Sequence, residues 1–198
     1  MTPRFLILLA LACGAAHCAE LSYWIQPCSD PETACRPSDV QLAAWALDAW
    51  QTASHGRLRL VQQADFRHAR IRIYWTNGHQ GLYGETRQVE VDGKKGAEVF
   101  ILPDMTQLGP AITAATQHDS LLRDAIVYLT CLHESGHALG LPHTAAFDDI
   151  MYSFGFGGDI AEYFERYRRQ LTTRDDLRTH SGLSPVDREH LLQQLSSH

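Results

Sequence analysis

Apolar residues first fall into a helical rhythm between positions 38 and 56, where Leu42, Trp45, Ala46, Ala49 and Trp50 recur at three- and four-residue steps. Positions so spaced share one helix face, so this stretch predicts an amphipathic helix packed on a sheet. Ser38 followed by Gln41 predicts a capping box at its start, and Gly56 marks its stop. The period then shortens. Segments 57–61, 69–75 and 97–102 read as strands, the middle one alternating Ile71, Arg72, Ile73, Tyr74. The polar, glycine-rich stretch 78–96 has room for one more short strand around 86–91. A second helical stripe begins near Asp119 or Ser120. Its positions Leu122, Ala125, Ile126 and Leu129 run directly into His133 and His137. Two further helices are predicted. One covers 159–171, with Glu162 and Glu165 each four residues ahead of an arginine. The other opens on Ser184-Pro185-Val186-Asp187, a capping box with proline at the first helical position, and continues through Leu191, Leu192 and Leu195.

Composition narrows the class. A chain of 198 residues, 44% hydrophobic and 20% charged, is globular and long enough for a substantial core. Its net charge is -6 and its basic residues are dispersed apart from Arg166, Arg168 and Arg169, which argues against a nucleic-acid partner. At the amino terminus, Arg4 precedes the apolar run 5–12 and small residues through Ala16 and Ala19, the order of an export signal over 1–19. A buried amino-terminal strand is the alternative. The run is too short to span a bilayer, so 20–198 is expected to be a secreted or periplasmic single domain without a transmembrane segment. A lipoprotein anchored through Cys13 is disfavoured by Ala10, three residues before it. Export makes the cysteines legible. Cys28 and Cys35, flanked by Pro27, Pro31 and Pro37, suit a small disulfide loop in an oxidising compartment. Cys131 lies two residues before His133, roughly 200° away around the helix, and reads as a buried packing thiol.

The chemistry concentrates in residues 133–143, which fill every fixed position of H-E-x-x-H-x-x-G-x-x-H. His133 and His137 lie one turn apart on one helix face and can grip a single ion, while Glu134 borders the same space without aiming at it. Gly140 stands where the helix must stop, since a residue without Cβ tolerates the left-handed turn, and Pro142 keeps the helix from resuming. His143 is thereby brought round as a third ligand. Three imidazoles in this arrangement predict a catalytic Zn2+ whose fourth position is left for water, with Glu134 as general base. Eight further histidines show no such spacing and read as polar surface.

This constellation resembles the metzincin clan of zinc endopeptidases. Asp149-Ile150-Met151-Tyr152 looks like its Met-turn, in which the Met151 thioether forms a floor beneath the imidazoles. Within the clan the likeness is to the matrixins. It rests on His-Ala-Leu-Gly-Leu-Pro-His at 137–143, on Met151-Tyr152, and on Leu183-Ser184-Pro185 with Asp187 at the start of the final helix. The resemblance implies an α+β zincin fold: a twisted, mostly parallel sheet with an antiparallel edge strand, two long helices behind it, and a small C-terminal subdomain. The upper half would cover about 38–140 and the lower about 141–198. It implies a monomeric enzyme acting on protein or peptide, with an edge strand beside the cleft to which substrate adds as one more strand. That role is assigned to Ala97, Glu98, Val99, Phe100 and Ile101, the alternative being a strand paired on both sides. The long connection around Phe154-Gly155-Phe156-Gly157-Gly158 would wall the substrate pocket or be an idle insertion. Ser153 stands where relatives of other branches place a metal-reaching tyrosine. The matrixin latency motif is not reproduced around Cys28, so the disulfide is preferred there to a cysteine switch. No cluster matching the family's structural zinc and Ca2+ sites lies between Trp75 and Glu98, although Glu85, Glu90 and Asp92 could bind Ca2+ weakly. The rival readings are a peptide- or protein-binding module without turnover, and an amidase acting on a small non-peptide substrate.

Overall fold

The computed structural model describes residues 18–78 and 83–197. Most of the expected export signal and His79 lie outside these. Five strands form one sheet: β1 (Ala19–Ile25), β2 (Leu58–Gln62), β3 (Ile71–Trp75), β4 (Gly84–Val91) and β5 (Lys94–Ile101), in the order β2-β1-β3-β5-β4. All neighbours are parallel except β4 and β5. Among the described residues six α-helices accompany it: α1 (Asp39–Ala53), α2 (Pro110–His118), α3 (Ser120–Ala138), α4 (Ile160–Arg168), α5 (Asp176–Thr179) and α6 (Pro185–Ser196).

The alternation in β3 appears as expected, with Ile71, Ile73 and Trp75 buried and the residues between them half-exposed. The inner face meets α1 and α3, whose stripes bury Leu42, Trp50, Ala125 and Ile126. Trp50 also donates its indole N–H to Leu132 O at 2.9 Å, fixing α1 against the helix that carries the histidines. Removing side chains of this size from water stabilises the fold by about 1.5–3 kcal/mol each, which makes the α1–α3 seam the main brace for the site. A buried ion pair joins the same helices: Arg123 of α3 meets both carboxylate oxygens of Asp39, with Nη2–Oδ2 at 2.6 Å.

Four expectations need correction. Residues Ala97 to Ile101 are not an edge. They pair with β3 on one side and β4 on the other, and the edge strand is β4. The cause is the turn between them: Asp92 and Gly93 have φ of 51° and 71°, so the chain reverses in two residues and lays β4 along the outside of β5. Second, the sheet half reaches back to β1, which inserts between β2 and β3. Third, α2 precedes α3 and was not foreseen. Fourth, Ser38 makes no side-chain cap on α1; instead Asp39 accepts from Arg36 N at 2.9 Å. The capping box at Ser184 and Asp187 is present on both sides. Cys28 and Cys35 are joined in a disulfide with Cα atoms 5.4 Å apart, and Cys131 is buried. Among the described residues no helix is long and apolar enough to cross a membrane.

Candidate metal centre and cleft

Helix α3 opens on Asp119, whose side chain accepts from Leu122 N at 2.9 Å, and closes in a pair of reverse hydrogen bonds. Leu141 N donates to Gly136 O and Gly140 N to His137 O, each at 3.0 Å, with Gly140 at φ +91°. This is the Schellman arrangement, which a residue with a Cβ adopts only under strain. It does more than end the helix. It presents Leu141 O to His137 Nδ1 at 2.8 Å and turns the chain so that His143 faces the two helical histidines.

The three imidazoles converge through Nε2. His143 Nε2 lies 3.2 Å from that of His133 and 3.1 Å from that of His137. Both helical rings are oriented from behind, His133 Nδ1 donating to Ile150 O at 2.6 Å and His137 Nδ1 to Leu141 O. With the proton on Nδ1, Nε2 carries a bare lone pair, so neither ring can donate a hydrogen bond to the centre. Lone pairs about 3 Å apart repel unless a cation lies among them. A tetrahedral zinc with Zn–N near 2.05 Å requires nitrogens about 3.3 Å apart, close to the two separations that His143 makes. The donor set therefore fits zinc. Among the described residues these histidines are the only group of three or more such side chains able to share an ion. Glu85, Glu90 and Asp92 do not form one; Glu85 is held by Arg87 and Asp92 lies beside His68.

Burial shapes the titration of the site. It holds His133 down at about 4, despite the opposing hydrogen bond to Ile150, and lowers His137 as well. It pushes Glu134 up to about 7, opposed by a hydrogen bond from Thr86.

Thr86 was not anticipated. From β4 its hydroxyl lies 2.6 Å from Glu134 Oε2 and 2.9 Å from Glu134 O, so the edge strand holds the carboxylate directly. Gly84 permits this approach, because a Cβ there would lie 2.6 Å from Glu134 Oε1. Neither residue carries a sequence signal, since both lie about fifty positions from their partner. The free edge of β4 can also be phased. Leu102 N donates to Tyr83 O at 2.9 Å, so residues 83, 85 and 87 direct their backbone groups inward to β5. Gly84, Thr86 and Gln88 therefore point theirs outward, beside Glu134.

On the turn that follows, Met151 is fully buried and packs against Gly136 of α3, where a Cβ would lie 2.4 Å from its Sδ. Asp187 of α6 holds the turn, accepting from Ile150 N at 2.8 Å and Met151 N at 3.3 Å. Tyr152 directs its hydroxyl to Gly157 O at 2.7 Å. A cavity of about 630 Å³ runs from the histidines and Glu134 past Tyr83 to Tyr152, Phe154 and Ile160. Its apolar end is thus built by the long connection after Met151.

Two helical imidazoles and a third from the segment beyond form a group that could hold a metal ion, with a buried carboxylate beside them, as in zinc peptidases. The family model described as Matrixin, Peptidase_M10, matches residues 16–175, and the chain belongs to that family of zinc metallopeptidases. The match ends before α6. No curated protein matches the chain.

Proposed function

We propose that the protein is an exported zinc-dependent endopeptidase that hydrolyses peptide bonds with water activated by Glu134. The observation that carries this reading is Glu134 itself, placed between three convergent imidazoles and the free edge of β4. His133, His137 and His143 hold the metal. Zinc, when bound, supplies Lewis acidity that makes water nucleophilic at neutral pH and polarises a carbonyl. The chain's own groups do the rest. An extended peptide adds to the outward N–H and C=O groups of Gly84, Thr86 and Gln88, which aligns its backbone across Glu134 whatever its sequence. Tyr83, Phe154 and Ile160 receive an apolar side chain of that peptide and exclude water around it. Glu134 Oε1, the oxygen not bonded to Thr86, takes the proton of the attacking water and delivers it to the leaving amine. No covalent acyl-enzyme forms.

Residues 1–19 direct export and 20–198 form one catalytic domain, its cleft lying between the sheet half and the part after 140. Glu134→Gln keeps the shape and removes the base, so proteolysis should fall by a factor of about 10²–10⁴ while zinc content stays at that of the parent. Undiminished cleavage of denatured protein by this variant would refute the assignment. Parallel assays on quenched peptides and small amides, with and without chelator, separate the endopeptidase from a binding module and from an amidase.

A further inference from the structure

The two helical ligands are supported differently. His137 is oriented by Leu141 O, a carbonyl held locally by the end of its own helix. His133 is oriented by Ile150 O, on a turn 17 residues away that lies outside any helix or strand and is tied to Thr144 by one isolated bridge. Something must keep that peptide plane from rotating. Its N–H side is held by Asp187, as described above. Its carbonyl side is held by Tyr163 of α4, a side chain only 5% exposed, whose hydroxyl lies 3.1 Å from Asp149 O and 3.3 Å from Ile150 O. The Tyr163 ring is fixed in turn by the Arg166 guanidinium, 4.5 Å from its centroid, which also pairs with Asp148 at 2.5 Å.

We propose that Tyr163 is a positioning residue for the metal centre. By bonding the carbonyl that receives His133 Nδ1–H, it fixes the ring's direction and so raises zinc affinity. This rests on the catalytic reading of the three histidines and assigns a task to α4, a helix in the long connection between the Met-turn and α6. The hydroxyl is not needed to satisfy the turn. Without it, Ile150 O still accepts from His133 and Asp149 O from Tyr152 N at 3.3 Å. Loss of the hydroxyl should therefore act on ligand orientation more than on folding. Partners that orient a metal-bound histidine typically contribute 10–100-fold in affinity, and Tyr163 acts one bond further out, so an effect of about tenfold is expected.

The test is Tyr163→Phe in the full-length protein, with the zinc dissociation constant measured by chelator competition. Tyr167→Phe serves as the control, because that buried residue's hydroxyl bonds His180 O rather than a carbonyl of the turn at 149–151. The expected result is zinc binding weakened about tenfold by Tyr163→Phe and unchanged by Tyr167→Phe, with both metal-free variants melting within a few degrees of the parent. Equal zinc affinity in parent and Tyr163→Phe overturns the proposal, as does equal weakening by the control, which would mean general loosening of α4. A parent protein that binds no zinc would instead fail the catalytic reading.

Discussion

Thr86 ties the β4 edge to Glu134, the proposed base. Its hydroxyl restrains one oxygen of Glu134 and leaves the other for proton transfer. A hydrogen bond to a charged group contributes about 1.5–3 kcal/mol, so Thr86→Val, nearly equal in shape, should lower kcat about tenfold or more with little change in KM. Steady-state kinetics on one peptide checks this, and an unchanged kcat would remove Thr86 from the site. The histidines make a second prediction, for the metal-free protein. Burial places His133 at about 4, below its ordinary 6.5, and lowers His137 too. Between those values the unfolded chain takes up protons that the folded chain refuses. The histidines' contribution to apoprotein stability is therefore intact above about pH 6.5 and lost as pH falls toward 4, while Glu134, raised to about 7 from its ordinary 4.5, opposes it by taking up a proton on folding. Urea midpoints of chelator-treated Glu134→Gln protein, in which the carboxyl no longer titrates, should fall between pH 7.5 and pH 5; equal midpoints would contradict it. Residue by residue, the three histidines and Glu134 were legible because helical spacing and the glycine turn at the helix end put them together. Thr86, Gly84 and Tyr163 were not, because each meets its partner only across elements.

At the scale of elements, α1 and α3 are locked by Asp39 and Arg123, 0% and 3% exposed. Breaking such a pair from one side leaves an uncompensated buried charge, so Arg123→Leu should destabilise the protein by about 3–5 kcal/mol. The exposed pair Arg59–Glu20 should contribute at most about 1 kcal/mol, and Glu20→Gln is the control. Chemical denaturation of both variants decides it; similar losses would show that burial does not govern these pairs. The long helices were readable because each carries a continuous apolar stripe. Helix α2 was not, since it buries Ile112 alone and shows no stripe. The place of β5 in the sheet was misread for a different reason. Period two tells which face of a strand is buried, not which strands flank it. The Asp92-Gly93 pair was the available signal, for two residues of this kind between strands favour a tight hairpin.

For the molecule as a whole, zinc should couple the halves. Its ligands come from α3 and from the segment beyond Gly140, and its floor from the turn held by α4 and α6. Binding to the folded state alone stabilises it by about 2.7 kcal/mol when free zinc is a hundred times its dissociation constant. Thermal melting should accordingly shift upward with zinc and return with chelator; a melting point indifferent to both would show that no metal links the halves. The sequence by itself determined the convergence of His133, His137 and His143, the place of Glu134 beside them and the helix end that turns His143 inward, because these depend on spacing within one helix and its exit. Tertiary structure alone decided that β4 is the edge, that Thr86 holds the base and that α4 and α6 brace the methionine turn. Those relations depend on which elements become neighbours, and local periodicity carries no record of a neighbour.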